Sequence, residues 1–427
     1  MRQLSETSKV ARDADTPTAV AKSGPGYLQI RQVVVLLGGK LIGLDTILPV
    51  MMELHSECPK IDIRFVFINA SHIQHVTENY VLDTGMKSCG EVNYISSGAR
   101  KPLSRVATFL RVVQWAIRLH RKRSLLLHFH DLADFPFSLF ATAARRGGGA
   151  AAIYHKTAFP VGDAYRWAVA QRVSQSRNSL NSTSQTFRDT GDFHLLYHPD
   201  QARDTRHFLD SSPVIIGTPR LYSSWLNFLD RVQRKQGVLD AAGEKIEPGD
   251  RPVFVLFYPG NVVIPTLATE AHEQTAKWLS VLRETVPSAL VVVKPHPNCR
   301  VEEVCDLFEG AGVDYRISFA HPQLLGRLAT AAVLPNGSNA MADMFAERVR
   351  VLDISDYCHE VMERGGALFP NPGRIACSTP DAMRSALKKM VTNPKSLPHT
   401  EPAMYAAAKP ESLSRLLAVA CEKAVSA

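Results

Sequence analysis

The chain has 427 residues, of which 45% are apolar and 21% are charged. This is the composition of a folded globular protein, and the length is sufficient for two domains with separate cores. The formal net charge of +8 suits an anionic substrate, nucleic acid or an acidic membrane surface, and does not choose among them.

The sequence excludes a disulfide scaffold, a zinc site of the Cys-x-x-Cys type and a membrane-spanning protein. The seven cysteines are widely spaced, so we expect reduced thiols. No segment approaches the ~18 continuous apolar residues that a membrane span needs. Residues 1–27 mix charged and small polar residues without the apolar core of a secretion signal, so we predict a disordered lead segment and a cytoplasmic protein.

Residues 28–235 are predicted to form an N-terminal domain in which strands and helices alternate. The strand-like runs are Val33–Leu37, Ile61–Ile68, Leu125–His130, Ala150–Tyr154, Phe193–Tyr197 and Val214–Ile216. Amphipathic segments of helical length are Leu44–Ser56, Ser104–Arg123 and Phe137–Arg146. Alternation of this kind is typical of a parallel, doubly wound sheet.

Residues 236–251 are polar and contain three glycines and a proline, which predicts a linker. A second α/β domain, residues 252–400, follows. Its predicted strands are Val253–Tyr258, Ala289–Lys294, Val313–Ser318, Ala331–Leu334 and Val349–Ile354. Its predicted helices are Glu270–Arg283, Val301–Phe308, Pro322–Thr330 and Asn339–Glu347, and residues 401–427 end in a helix at Ser412–Ala424. The expected architecture is α/β, with two Rossmann-like domains whose parallel sheets face a central cleft.

A rigid basic turn ends the second strand of the second domain. Pro295 and Pro297 fix the backbone on either side of His296, and Lys294 adds a positive charge beside it. Either this is a stiff loop with an incidental histidine, or the imidazole and the ammonium group bind a phosphate. The carboxyl edge of a parallel sheet is where open α/β sheets bind ligands.

A small polar turn follows the run Ala331–Leu334 at the same sheet edge. Gly337 permits close approach of a ligand, and Ser338 and Asn339 are residue types that cap helix N-termini. Alone, the turn is compatible with an ordinary capped helix. Together with the His296 turn, it predicts a site for the phosphates of a nucleotide.

Three segments of the first domain contain further candidates for a ligand-binding or catalytic site. Gly38, Gly39 and Lys40 follow the first strand and form either an ordinary tight turn or a contact with a sugar or phosphate. His155 follows the run Ala150–Tyr154. The unperturbed pKa of a histidine side chain suits a general base, and a structural loop histidine is the alternative. A competing base is Asp131 or Asp134.

Two further features of the first domain allow more than one interpretation. Asp134, near Asp131, is a candidate helix cap. His128 and His130 share one strand face, but the further ligands of a metallohydrolase are missing, so no metal is predicted. The basic amphipathic segment Arg105–Arg123 either packs its apolar side on the sheet, which we consider the better prediction, or rests on anionic lipid.

The two turns of the second domain resemble the His-Pro and later Ser-rich motifs of a group of GT-B glycosyltransferases of bacterial surface-polysaccharide synthesis. That group includes sialyltransferases, Kdo transferases and CDP-glycerol glycerophosphotransferases. Gly217–Arg220 is similar to the Gly-x-Pro-Arg turn that many of them carry where the first domain ends. Tyr154–Thr157 is similar to a Trp-His-Gly-Thr turn, with Lys156 in place of the glycine. Ser338–Asn339 replaces the more usual Ser-Ser pair.

The resemblance implies a metal-independent transferase without a cofactor. The transferred group would be a sugar, a sugar acid or a polyol phosphate, and its CMP- or CDP-linked nucleotide donor would be bound by the residues of the two turns: Lys294, His296, Gly337, Ser338 and Asn339. His155 or Asp131 would be the catalytic base, and the acceptor would be a capsule or other surface glycan, free or lipid-linked. Peripheral contact with the inner membrane is a further expectation.

Two alternatives remain open from the sequence. A non-hydrolysing UDP-sugar 2-epimerase has the same architecture but needs carboxylate acid/base pairs at the strand ends of the first domain. A non-catalytic protein that binds membranes or nucleic acid would use the net positive charge. Most basic residues are interleaved with acidic ones and no nucleic-acid-binding motif occurs, so we expect no nucleic acid partner.

Overall fold

A computed structural model describes residues 30–38, 41–96, 102–129, 132–154, 163–165, 167–168, 189, 191–203, 211–260, 265–297, 299–338, 340–368, 371, 373–398 and 408–426. Within these ranges the chain forms two α/β domains, each built on a parallel sheet. No helix in them is long and apolar enough to cross a bilayer.

The N-terminal sheet has seven strands in the order β3-β2-β1-β4-β5-β6-β7. Their bounds are β1 Gln32–Leu37, β2 Asp62–Asn69, β3 Glu91–Ser96, β4 Ser124–His128, β5 Ala150–Tyr154, β6 Phe193–Leu196 and β7 Ser212–Ile215. The helices are α1 Leu41–Glu57, α2 Ser71–Thr77, α3 Tyr80–Cys89, α4 Pro102–Arg121 and α5 Phe137–Arg146. Strands β1, β4 and β5 are buried along their whole length, as their continuous apolar sequences require.

The C-terminal sheet has six strands in the order β10-β9-β8-β11-β12-β13. Their bounds are β8 Val253–Tyr258, β9 Leu290–Pro295, β10 Tyr315–Ile317, β11 Ala331–Leu334, β12 Arg350–Asp353 and β13 Arg374–Ala376. Helix α6, Ser223–Gln236, precedes the sheet. The remaining helices are α7 Ala271–Thr285, α8 Val301–Ala311, α9 Pro322–Gly326, α10 Ala340–Ala346, α11 His359–Met362, α12 Pro380–Thr392 and α13 Leu413–Ser426.

Each sheet reverses its strand order beside its first strand. In the N-terminal sheet β1 lies between β2 and β4, and in the C-terminal sheet β8 lies between β9 and β11. At such a switch point the following connections leave on opposite faces, which opens a crevice at the carboxyl ends of the strands. The ends of β1 and β4, and of β8 and β11, are therefore where a ligand is expected.

Two helices connect the domains. Helix α6 packs on α1 of the N-terminal domain, while its Trp225 Nε1 donates a hydrogen bond of 2.6 Å to Gln323 Oε1 of the C-terminal domain. Helix α13 returns to α1, where the Glu57 carboxylate accepts hydrogen bonds from the N–H groups of Leu413 and Ser414 at 3.0 and 2.7 Å. The end of the chain is thus fastened to the first domain.

The predicted fold class is confirmed: both sheets are parallel, and their order is that of doubly wound domains. Several elements were not predicted, namely β3, β13, α2, α3, α6, α11 and α12. Helix α6 reaches Gln236, so the polar segment that follows begins at Gly237, where a φ of 71° ends the helix in the left-handed region.

Candidate functional site at the domain interface

The His296 turn is held by the ends of two neighbouring strands. The backbone N–H of His296 donates to the Tyr258 carbonyl at 2.8 Å, and its carbonyl accepts from the Cys299 N–H at 2.8 Å. The residue is exposed, yet partial burial lowers the pKa of its imidazole below the ordinary value. The ring is therefore neutral at pH 7 and offers one N–H donor to a ligand.

The Gly337–Ser338 turn follows β11 at the switch point of the C-terminal sheet. Both residues are half-buried, and Ser338 Oγ accepts a hydrogen bond of 3.3 Å from the Ala340 N–H. Ser338 therefore caps α10, as its residue type predicts. Asn336 Oδ1, beside this turn, is buried and has no hydrogen-bond partner among the described residues. An unsatisfied buried acceptor costs about 1–3 kcal/mol, which a ligand hydroxyl or N–H would offset.

Lys294 lies deeper than His296, at the contact between the domains. Its Nζ donates to the Phe319 carbonyl at 3.3 Å. Burial lowers the pKa of Lys294 to about 8, although the nearby carboxylates of Asp45 and Asp343 act in the opposite direction. The ammonium form is thus retained at pH 7 but lost in mildly alkaline solution.

Four charged or titratable side chains from both domains form what we call the interdomain ionic cluster: Asp45, Arg220, His321 and Asp343. Asp45 is in α1 and Arg220 in the turn before α6. His321 precedes α9 and Asp343 is in α10. Arg220 Nη2 lies 2.6 Å from Asp45 Oδ2, and Arg220 Nε lies 2.6 Å from Asp343 Oδ1. One guanidinium therefore serves two carboxylates.

His321 completes the cluster from the C-terminal domain. Its Nδ1 accepts a hydrogen bond of 3.1 Å from the Gln323 N–H, so the ring hydrogen of the neutral form is on Nε2. That nitrogen lies 2.7 Å from Asp45 Oδ1 and donates to it. The His321 side chain is fully buried, as interface packing requires.

The two carboxylates of the cluster have opposite electrostatic environments. Burial by itself would raise the pKa of Asp45, but Arg220 and His321 bring it well below its ordinary range. Burial raises the pKa of Asp343 to about 6 despite the same guanidinium. Asp45 is therefore a stable anion and a poor proton acceptor.

The cluster fixes helix α1 relative to helix α10. Gly38 lies in the loop before α1, and Ser338 lies in the turn before α10.

Among the N-terminal candidates, Gly38 is the residue that the structure describes. Gly38 is exposed at the end of β1, with nothing within 4 Å of a Cβ atom at that position. Five candidate residues lie outside the described residues: Gly39, Lys40, Asp131, His155 and Asn339. Strand β4 ends at His128 and strand β5 at Tyr154, and the role of Asp131 and His155 on the acceptor side stays a prediction.

Asp134 and His128 are two further sequence candidates in this domain. Asp134 is not the N-cap of α5, because Pro136 occupies that position without a side-chain hydrogen bond. The ring of His128 stacks on Phe137 at 4.3 Å between centroids, and its Nδ1 lies 3.1 Å from the Leu36 carbonyl oxygen. In the described ranges no group of three His, Cys, Asp or Glu residues could hold a metal ion.

The interdomain ionic cluster was not predicted as a unit, although weak signals for its members are present. Asp45 is the single charge in residues 41–52, and Asp343 is the single charge in residues 340–346. A lone carboxylate in an apolar helix indicates a buried partner. Arg220 was noticed as part of the Gly-x-Pro-Arg turn, whereas nothing local marks His321 apart from its place before Pro322.

No protein-family model matches this chain, and no curated protein matches its sequence. A UDP-GlcNAc 2-epimerase from Neisseria meningitidis, solved with UDP-GlcNAc bound, is similar in structure, with a TM-score of 0.51 and 11% identity over 93% of this chain and 100% of that chain. A putative UDP-N-acetylglucosamine 2-epimerase from Listeria monocytogenes has a TM-score of 0.49 and 12% identity over 91% of this chain and 93% of that chain. A glycosyltransferase from Streptomyces nogalater has a TM-score of 0.43 and 11% identity over 92% of this chain and 99% of that chain.

At these identities the likeness concerns the fold alone. The epimerase from Neisseria meningitidis matches over both domains and the full length of its own chain. The structure of this chain itself has two α/β domains, each built on a parallel sheet. The chain therefore has the GT-B fold, with two Rossmann-like domains on either side of a cleft.

Proposed function

We propose that the protein is a metal-independent glycosyltransferase that binds a nucleotide-sugar donor on its C-terminal domain. The observation that carries the proposal is the position of Lys294, His296 and Ser338. All three lie at the carboxyl edge of one parallel sheet, around its switch point, and Lys294 is close enough to Asp45 of the other domain for the charges to interact. This is the place where a doubly wound domain binds a phosphorylated ligand.

The chemistry of these groups suits a departing nucleotide. Negative charge builds on the leaving phosphate in the transition state, and preorganised donors at that point lower the barrier. The ammonium group of Lys294, the neutral imidazole of His296 and the turn at Ser338 would supply such donors. His155 or Asp131 would remove the proton from the acceptor hydroxyl. From the resemblance of the motifs, the donor is CMP- or CDP-linked and the acceptor is a surface glycan.

A UDP-sugar 2-epimerase is the second candidate, because the same fold serves that activity in the structure with the TM-score of 0.51. Such an enzyme needs carboxylate acid/base pairs at the N-terminal strand ends. Residues 155–162, which follow β5, contain no Asp or Glu, and the first carboxylate after that strand is Asp163, so the candidates nearest a strand end are Asp131 and Asp134 after β4. This observation favours the transferase.

Isothermal titration with CMP, CDP, UDP and GDP tests the donor site. We expect selective binding of one nucleotide and its loss in the His296→Ala variant. The matched control is His359→Ala, which removes a highly exposed histidine from the same domain. If the folded protein binds none of the four nucleotides, or if His359→Ala weakens binding as much as His296→Ala, the proposed donor site is wrong.

Product analysis separates the two candidates once the nucleotide is known. The protein is incubated with the corresponding nucleotide sugar alone and then with glycan acceptors. A transferase leaves the configuration at C2 of the sugar unchanged and releases free nucleotide when an acceptor is present. Conversion of the nucleotide sugar to its 2-epimer without an acceptor would instead identify an epimerase.

A further inference from the structure

Helix α4 has an exposed apolar face that no described part of the chain covers. Four residues form this α4 apolar stripe, and their exposed fractions are 59% for Val106, 60% for Phe109, 61% for Leu110 and 46% for Ile117. At 100° per residue, these positions fall within about a third of the helix circumference. The stripe is therefore continuous along three turns of the helix.

The opposite face of α4 provides the packing expected from the sequence. Val112, Trp115 and Leu119 are buried and belong to the core between α4, α5 and the sheet. The helix is thus apolar on two sides, which corrects the expectation that its apolar residues serve the sheet alone. Packing against the sheet does not explain a stripe of large apolar side chains in solvent, and such a stripe indicates an interaction surface.

The exposed apolar surface continues onto the adjacent helix α5. Phe135, just before α5, is 66% exposed, and Leu139 is 37% exposed. Helix α4 begins after the carboxyl end of β3, and Phe135 follows the carboxyl end of β4. The N-terminal half of the stripe and Phe135 are therefore on the side of the domain where the cleft opens.

The charges on α4 and on the residues that flank it have one sign. Residues 92–130 contain no Asp or Glu, but eight Lys and Arg residues. Arg118 and Lys122 pair with Asp62, the first residue of β2, at 3.0 and 3.2 Å. Arg105 and Arg121, near the two ends of the helix, are exposed. An apolar stripe bordered by cations is the pattern of a helix that lies in the interface of an anionic bilayer.

We propose that the α4 apolar stripe and its flanking arginines dock the N-terminal domain on an anionic lipid surface. A second copy of this chain is the less favourable occupant, because a symmetric contact would bring like charges together across the interface. The docked orientation places the acceptor side of the cleft at the membrane. The inference rests on the proposed function only in making the acceptor lipid-linked, while the lipid contact itself is independent of it.

Vesicle co-sedimentation tests the proposal with the full-length protein. Vesicles of pure phosphatidylcholine are compared with vesicles in which part of it is replaced by phosphatidylglycerol. We expect binding to the anionic vesicles only, and weakening at high salt. The double variant Phe109→Ser/Leu110→Ser should lower the partition coefficient at least about tenfold. The control variant Val391→Ser/Val425→Ser removes apolar residues of similar exposure from α12 and α13 and should leave binding unchanged.

A charge variant separates the cationic contribution. Arg105→Gln/Arg121→Gln should weaken binding to anionic vesicles about ten- to thirtyfold. Lys388→Gln/Lys389→Gln removes the same charge from the exposed side of α12 and should have no effect beyond the change in net charge. Equal binding to neutral vesicles, equal loss in both charge variants, or no binding at all would overturn the proposal. A dimer that the stripe variant dissociates, without vesicle binding, would identify a second copy as the occupant.

Nucleotide titration of the same variants without vesicles distinguishes this inference from the proposed function. Unchanged nucleotide affinity with lost vesicle binding supports both. Nucleotide binding by a protein that ignores anionic vesicles would refute the membrane surface and leave the donor site standing. Vesicle binding by a protein that binds no nucleotide would refute the donor site and leave the membrane surface standing.

Discussion

Lys294 is the residue whose charge is most sensitive to pH within the candidate donor site. Burial lowers its pKa to about 8, and only the ammonium form attracts a phosphate. We expect nucleotide affinity to be constant below about pH 7 and to weaken up to about tenfold per pH unit above pH 8, until the pKa of the liganded state is reached. Isothermal titration from pH 7 to 9.5 measures this dependence.

The Lys294→Arg variant is the matched test of that assignment. A guanidinium stays protonated throughout this range, so the affinity of the variant should not change with pH. If wild type and variant weaken in parallel, another group is responsible for the pH dependence.

The carboxylates Asp45 and Asp343 share Arg220 but differ in what their charge contributes to stability. The pKa of Asp45 is lowered in the folded state, so its contribution is present above its unfolded pKa and is lost as the pH falls. The pKa of Asp343 is raised to about 6, so its contribution is present below about pH 4 and is lost as the pH rises through 6. At pH 7, Asp45→Asn should therefore cost about 3–5 kcal/mol, and Asp343→Asn clearly less.

Urea denaturation of the two variants at pH 7 measures this difference in the free energy of unfolding. Both substitutions keep the side-chain shape, and Asp343→Asn leaves the contacts of Arg220 with Asp45 in place. Equal destabilisation, or a larger effect at Asp343, would mean that the guanidinium is committed chiefly to the C-terminal domain.

At the scale of elements, helix α13 depends on one carboxylate for its attachment. Glu57 accepts hydrogen bonds from the N–H groups of Leu413 and Ser414, which α13 cannot satisfy within itself. The Glu57→Ala variant should destabilise the protein by about 1–2 kcal/mol and increase amide hydrogen exchange in α13. Glu422→Ala, at an exposed position in α13 itself, is the control. Unaltered exchange in Glu57→Ala would show that apolar packing alone holds the helix.

The elements that the sequence predicts best are those buried on both faces. Ala150–Tyr154, Val253–Tyr258 and Ala331–Leu334 were predicted with their observed bounds, because a central parallel strand is a short continuous apolar run. Strand β3 lies at a sheet edge and is mostly exposed or half-buried, and β13 has three residues. Such strands derive their structure from pairing with a neighbour, which no local pattern reveals.

The residues of the candidate site also differ in how well local sequence predicts them. The turns at His296 and Ser338 were predictable because their chemistry is local and each follows a recognisable strand. The interdomain ionic cluster was not, because residues 45, 220, 321 and 343 come together only when two folded domains dock. The exposure of Leu110 was also not predictable from the sequence, since an apolar residue on a helix is expected to face the nearest sheet.

At the scale of the molecule, the two domains are joined by polar contacts as well as by the chain. Arg220 binds carboxylates of both domains, and Arg327 lies 2.8 Å from Asp230 of α6 and 3.1 Å from Glu347 of the C-terminal domain. Cooperative unfolding of two domains requires that the unfolding of one removes stabilising interactions from the other. In this protein, those interactions would include the ion pairs of Arg220 with Asp45 and Asp343.

Replacement of Arg220 should therefore uncouple the domains. In the Arg220→Met variant, Asp45 and Asp343 lose their shared cation, and separation of the domains, which lets water reach both carboxylates, becomes less costly. We expect calorimetry to show one cooperative transition for the wild type and two resolved or broadened transitions for the variant. The control Arg234→Met removes an exposed arginine of α6 whose hydrogen bond stays within the helix. A variant that still melts in one transition, only at lower temperature, would show that the cluster stabilises the fold without coupling the domains.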